Sequence, residues 1–348
     1  RKQAAIRAHE SAEYLEREEG IDTVIGTAKF TGPRSIAVSG QRFSAPRLLV
    51  ATGSKPRYLP IPGLEKVAYY TNENLFHMPE VPGRLLVIGG GNIGLEMSQA
   101  FQRLGSQVTV LERHDRILAK ERPEVAALVQ QQLEGEGVRF LTQTSVAAFS
   151  DAHTAELESA QTEEKSLSFD AVLLAAGREI KYDALELEAA KVKTDDRGWP
   201  LLDDYLRSQS NKRIAFAGDA AHNLLFSHAA ELHTTVLLTN YFTPSPFKKK
   251  FKTDHFSWVT FTDPEVATFG LSEEELKKRG KAYEKLDFSF EADDRAVAAD
   301  YEYGRLILFT AKNALNPRNG KILGGTIVAP QAGEMIQELI MARQQGLG

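Results

Sequence analysis

Three glycines spaced G-x-G-x-x-G, Gly89, Gly91 and Gly94, stand between a short apolar run and an amphipathic one. Residues 85–88 read as a buried strand. Residues 94–104 predict a helix, with Ile93, Met97, Ala100, Phe101 and Leu104 on one face and Gly105 as its stop. Gly89 allows a tight turn, Gly91 lets a pyrophosphate come close to the backbone, and Gly94 lets the helix pack against the strand. Gly90, Asn92 and Ile93 complete the turn. The helix start offers free N–H groups and a positive dipole end to phosphate. Glu112 ends the next strand, 107–111, at the distance expected of an acid that bonds the adenosine ribose. A carboxylate there repels a 2′-phosphate, which favours NAD(H) over NADP(H); the adjacent Arg113 pulls the other way. The alternative is a glycine turn needed only for packing, with Glu112 a solvated strand end.

The pattern continues on both sides. Pro123 opens a helix with Val125, Leu128, Val129 and Leu133 as its apolar stripe, and strands are expected at 138–142 and 171–175. Strands alternating with helices imply a parallel, doubly wound α/β sheet. Before it, residues 1–19 read as an amphipathic helix ended by Gly20, and short strands at 23–30, 35–39 and 47–51 form an antiparallel meander. A proline-bearing connector follows at 56–63. After it come a strand at 214–217, a loop and a long helix to 240. A basic linker at 244–250 then leads to a unit with strands near 258–260, 267–271, 305–310 and 323–328 and helices near 273–278 and 333–344. That unit mixes strands and helices without strict alternation, as in α+β folds.

The 348 residues carry a net charge of −5, which argues against a nucleic-acid binder. No apolar run approaches a membrane span, and no signal-peptide pattern opens the chain, so a cytoplasmic setting is expected. There are no cysteines, which excludes a disulfide, a thiolate metal site or a thiol nucleophile within these residues. The histidines show no metal-ligand spacing, and no metal is expected.

Six segments in order resemble the pyridine nucleotide-disulfide oxidoreductases, the family of dihydrolipoamide dehydrogenase, glutathione reductase and mercuric reductase. They are Ala51-Thr52-Gly53-Ser54-Lys55-Pro56; the Gly89 turn through Glu96; Ala175-Ala176-Gly177-Arg178; Ala217-Gly218-Asp219-Ala220; Phe261-Thr262-Asp263-Pro264-Glu265; and Ala332-Gly333-Glu334-Met335. The resemblance implies a Rossmann-like NAD(P)-binding domain (77–180) inserted in a partial FAD-binding domain (1–76 and 181–247), plus a C-terminal dimerisation domain (254–348). It implies FAD and NAD as cofactors, a homodimer and a small-molecule substrate. By position, Asp219 would bond the flavin ribityl chain. Thr52, Gly53 and Ser54 would line the flavin edge, with Leu225, Phe226, Ser227 and His228 beside the ring. Glu96 would lie near the nicotinamide and Gly177 beside the NAD. The plainer alternatives are a helix cap for Asp219, a first-turn acid for Glu96 and a satisfied core histidine for His228. Segments 226–231 and 258–261 look closer to mercuric reductase than to glutathione reductase.

Three family features are not in the sequence: the first flavin glycine turn, the redox cysteine pair, and the closing His-Pro segment. The A-x-G-R segment also continues Glu179-Ile180 rather than Pro-Asn. No catalytic residue is therefore assigned. A full-length oxidoreductase limited at both ends is the expectation, over a natural protein that has lost thiol chemistry. Such an enzyme would pass hydride between NAD(H) and FAD and on to a disulfide or dithiol, a metal ion or a similar acceptor. Its rivals are a thiol-independent NADH-flavin oxidoreductase and a non-catalytic, nucleotide-binding, dimerising fragment.

Overall fold

The computed structural model describes residues 14, 16–17, 19–244, 246–253, 256–312 and 320–348. The helix expected over 1–19 lies mostly outside these residues, as do His9 and His255. The chain divides into two compact units, Arg1–Ser54 with Ile180–Phe251, and Lys55–Glu179 with Lys252–Gly348.

In the first unit, Ala28–Gly32, Ser35–Val38 and Gln41–Ser44 form the antiparallel meander, tied by the register Phe30↔Ile36 and Ile36↔Phe43. Gln41–Ser44 was not legible in sequence because all four of its residues are exposed. The strand expected at 47–51 is not part of that meander: Leu48–Val50 pairs in parallel with Ile214–Phe216, Leu48 opposite Ile214 and Val50 opposite Phe216. Phe30, Val50, Ile214, Phe216, Tyr182 and Leu206 form one core. The helix Ser227–Phe242 follows.

In the second unit a five-stranded parallel sheet has the order Tyr69–Tyr70, Ala171–Leu174, Arg84–Ile88, Gln107–Leu111, Arg139–Leu141. Its central strands are buried on both faces, as parallel strands covered by helices must be. Residues 55–76, grouped by sequence with the first segment, here lie with this sheet: Tyr69 and Tyr70 pair with Val172 and Leu173. The helices Asn92–Arg103 and Pro123–Gly135 follow the second and third of these strands in chain order. Asn92–Arg103 buries Gly94, Leu95, Ser98 and Gln99, while Ala100 is exposed and Leu104 lies 63% exposed just past its end. Leu95 anchors it, and of the expected stripe Met97 and Phe101 pack against the same core, whereas Ala100 and Leu104 do not. A small antiparallel sheet of Thr144–Phe149, Thr154–Ser159 and Ser166–Ser168 adds to this layer.

A second five-stranded sheet is antiparallel, in the order Ser257–Thr260, Glu265–Gly270, Ile322–Ala329, Arg305–Ala311, Tyr283–Ser289. Helix Ala332–Gln344 packs on it through Ala332, Ile336 and Ile340. Val266, Leu271, Leu276, Ile307 and Phe309 share one core with Leu85, Val108, Val125 and Val129, so the two sheets are held by continuous apolar packing. Arg122 bridges them with charge, bonding Glu124 on one side and Glu273 on the other.

Candidate functional site

The glycine turn sits at the carboxyl end of the sheet's middle strand. The Gly89 N–H donates to the Leu111 carbonyl at 2.8 Å, and the Ala175 N–H donates to Ile88. This locks the ends of three neighbouring strands together. Gly89 has φ +115°, and a Cβ there would stand 2.6 Å from the Ala175 carbonyl oxygen. The first turn of Asn92–Arg103 comes so close that a Cβ on Gly94 would overlap the Gly89 carbonyl oxygen. Gly91 differs: its φ is −84°, and a Cβ there would meet nothing within 4 Å. Two glycines thus serve packing, and the third keeps space open at the amino end of a helix. That is the cradle a pyrophosphate requires.

Glu112 ends the neighbouring strand and is 8% exposed. Its Oε2 accepts the Gly90 N–H at 2.8 Å. Its Oε1 accepts the His114 N–H at 2.9 Å and lies 2.6 Å from His114 Nδ1. Gly90 is pinned from both sides, since its carbonyl accepts the Leu118 N–H at 2.9 Å. A carboxylate has about four acceptor positions, so these bonds leave capacity for a hydroxyl donor. An open cleft of about 470 Å³, lined by Arg113, Gln143, Thr144, Ser145, Glu158 and Ser159, begins at the next residue along the chain. His114 was not singled out by sequence; its place two residues beyond the acid was the available signal.

Asn92 and Glu96 extend the site along the helix. Asn92 Nδ2 donates to Thr260 Oγ1 at 2.8 Å, and Glu96 Oε1 accepts the Phe261 N–H at 2.9 Å. Burial raises the Glu96 carboxyl pKa, and the Phe261 amide partly offsets this. Ile93 is half-buried between them. Gly177 lies beyond the strand that neighbours the turn; it has φ +103°, and its carbonyl accepts the Arg57 N–H. Neither Thr260 nor the Phe261 amide was anticipated as a site group.

The residues expected around a flavin lie in the first unit. Leu48–Val50 and Ile214–Phe216 are parallel, so residues 51–54 and 217–219 leave the same end of the pair. There the Ser54 hydroxyl donates to Asp219 Oδ2 at 2.5 Å. Gly53 has φ +67°, and a Cβ on it would meet no neighbour within 4 Å. Phe226 caps the start of Ser227–Phe242, with Leu225 exposed and His228 half-buried in the first turn. Polar groups converging at the carboxyl ends of parallel strands, beside an open glycine backbone, fit a ligand of flavin character. Tyr182 backs this loop by donating to the Ala220 carbonyl at 2.8 Å.

Residues 3–235 match the family profile described as pyridine nucleotide-disulphide oxidoreductase, and residues 256–348 match its dimerisation domain. The chain belongs to this family. It is 32% identical over 335 residues to a mercuric reductase of Staphylococcus aureus, covering 96% of this chain and 60% of that protein. It is 33% identical over 332 residues to a dihydrolipoyl dehydrogenase of Thermus scotoductus, covering 94% of this chain and 69% of the relative. Across the first mercuric reductases matched, the chain spans 51–60% of their length. The solved HOCl-induced flavoprotein disulfide reductase RclA of Escherichia coli superposes with a TM-score of 0.80 at 24% identity, over 99% of this chain and 80% of that one. That likeness establishes the fold. The relatives named are oxidoreductases of a flavin- and pyridine-nucleotide-dependent family. Among the described residues, no helix is long and apolar enough to cross a membrane.

Proposed function

We propose that this chain is the dinucleotide-binding, dimerising part of a FAD-dependent pyridine nucleotide-disulfide oxidoreductase. The enzyme passes hydride between NAD(H) and FAD and electrons on to a disulfide or dithiol, a metal ion or a similar acceptor. One observation carries the reading: Gly91 opens unobstructed space at the amino end of Asn92–Arg103, while Glu112, held by Gly90 and His114, stands on the next strand. The diphosphate lies over the helix start, where N–H groups and the dipole favour its charge. The adenosine ribose faces Glu112, and the cleft beside Arg113 takes the adenine end. The buried negative charge of Glu112 disfavours a 2′-phosphate, so NAD is the preferred dinucleotide. Glu96 and Asn92 line the helix face toward the nicotinamide half.

Thr52, Gly53, Ser54 and Asp219 would hold the flavin, with residues 225–228 against its ring. When bound, the flavin supplies the two-electron chemistry. Asp219, oriented by Ser54, accepts ribityl hydroxyls, and the apolar side chains of Leu225 and Phe226 exclude water. With no cysteine among the 348 residues, these residues themselves supply no thiol pair to relay electrons from the flavin to a disulfide acceptor. The C-terminal domain, residues 254–348, is read as the surface that pairs two copies about a two-fold axis, and the cytoplasm remains the expected location.

The test is anaerobic. The chain is supplied with FAD, dialysed, and mixed with NADH while the flavin absorbance is followed. Retained flavin that bleaches on NADH addition supports the reading. Retained flavin that NADH leaves oxidised removes the hydride-transfer half of it.

A further inference from the structure

Asn92, Glu96, Gln99 and Arg103 recur at a spacing of four, three and four residues, which places them on one face of the helix. A polar stripe on a surface helix normally faces water. Here each member is bonded to one short segment of the antiparallel sheet. Asn92 donates to the Thr260 hydroxyl, and Glu96 accepts the Phe261 amide. Gln99 exchanges two hydrogen bonds with the Asp263 backbone, both 2.7 Å, and Arg103 donates to the Asp263 carboxylate at 2.7 Å. The ladder is buried where it matters: Thr260 is 0% and Gln99 4% exposed.

We propose that residues 260–263 are a positioning element for the dinucleotide helix. In it, the Thr260 hydroxyl and the Phe261 amide set the orientation of Asn92 and Glu96 for the nicotinamide half of the ligand. The proposal rests on the dinucleotide reading given above. Its physical basis is preorganisation. Asn92 and Glu96 stand in the first turns, nearest the open space at Gly91, and each has rotamer freedom that ligand binding would otherwise have to remove. A partner on a separate sheet removes it beforehand. The lower two rungs, Gln99 and Arg103, fix the helix axis against the same segment, so the upper two cannot drift with respect to it. Thr260 and the Phe261 amide act through Asn92 and Glu96, and are positioning rather than catalytic groups.

The test is calorimetric titration of the chain with NADH and with AMP, which carries only the adenosine end. Thr260→Val keeps shape and volume but removes the hydroxyl. It should weaken NADH about five- to tenfold, the effect of one lost hydrogen bond, and leave AMP affinity unchanged; Thr260→Ser should restore NADH to within about twofold. Asn92→Ala approaches the same bond from a half-buried helix start and should cost NADH a similar factor. The double variant should bind NADH no more weakly than the worse single variant, the signature of two groups acting through one contact. Wild-type NADH affinity in folded Thr260→Val overturns the proposal, as do equal losses for NADH and AMP or additive losses in the double variant. If Thr260→Val does not fold, wild-type NADH affinity in Asn92→Ala overturns it alone. A wild-type chain that binds neither NADH nor AMP fails the underlying reading, and the positioning role with it.

Discussion

Adding one methyl group at Gly91 separates a packing glycine from a ligand glycine. Its backbone, φ −84° and ψ −177°, is one that alanine adopts freely, and the new Cβ would meet no atom within 4 Å. Gly91→Ala should therefore leave the fold intact, the gain of about 0.4–1 kcal/mol from a less free unfolded chain being offset by the poorer N-cap that alanine makes at the start of Asn92–Arg103. Gly89→Ala is the control. There φ is +115°, and the Cβ would press to 2.6 Å from the Ala175 carbonyl oxygen and 2.8 Å from its carbon. Left-handed strain of about 1–3 kcal/mol and overpacking of about 1–3 kcal/mol combine. At roughly 2–4 °C per kcal/mol for a unit of this size, melting should fall by about 5–20 °C. NADH binding reverses the order of tolerance. In Gly91→Ala the methyl occupies the space meant for the pyrophosphate, and affinity should drop about tenfold or more while Tm holds. Thermal melting and calorimetric titration on the same samples read both. A Gly91→Ala protein with wild-type Tm and wild-type NADH affinity would refute the assignment of that space to the ligand.

Glu112→Gln keeps an acceptor for the Gly90 N–H but removes the charge, so the preference for NADH over NADPH should narrow about five- to tenfold in competing titrations. Two acids, Glu273 partly exposed and Glu121 buried, give opposite pH limbs in Tm measured from pH 3 to 8. The Tyr283 hydroxyl, then Arg122 and Lys277, hold the Glu273 carboxyl down to about 2. Its folded value is below its unfolded one, so its contribution is complete above about pH 4.5 and is lost as pH falls toward 2. Burial pushes the Glu121 carboxyl up despite hydrogen bonds from Trp258 and Thr268. Its folded value lies above the unfolded one, so stability present at low pH is lost as pH rises through it. Glu121→Gln should consequently raise Tm relative to wild type at pH 7, with the advantage gone near pH 4.

Strong local signals carried the parallel sheet. Gln107–Leu111 is bounded by Gly105 and an acid, and Ala171–Leu174 is buried throughout; both appear where periodicity and turn residues put them. Weak amphipathic strands were not legible. Thr144–Phe149, Thr154–Ser159 and Ser166–Ser168 are rich in Ser, Thr and Glu, and Tyr283–Ser289 buries no residue fully. The buried face of Asn92–Arg103 was read only in part: Met97 and Phe101 pack on the core as expected, but buried Ser98 and Gln99 were missed for a physical reason. Ser98 satisfies its hydroxyl on the Gly94 carbonyl at 2.6 Å, and Gln99 finds the Asp263 backbone 164 residues away. Polar side chains enter a core when distant partners satisfy them, and such partners leave no local pattern. The same distance hid Thr260 and Phe261, the partners of Asn92 and Glu96, whereas the candidate turn of Gly89, Gly91 and Gly94 with Glu112 was readable as a pattern because turn, helix and acid follow one another along the chain.

The most direct measurement is a calorimetric titration of the chain with NADH, repeated with NADPH. Saturable binding of one NADH per chain, tighter than NADPH by about tenfold or more, is the predicted result. Heats of dilution alone with both dinucleotides would contradict the account at its base.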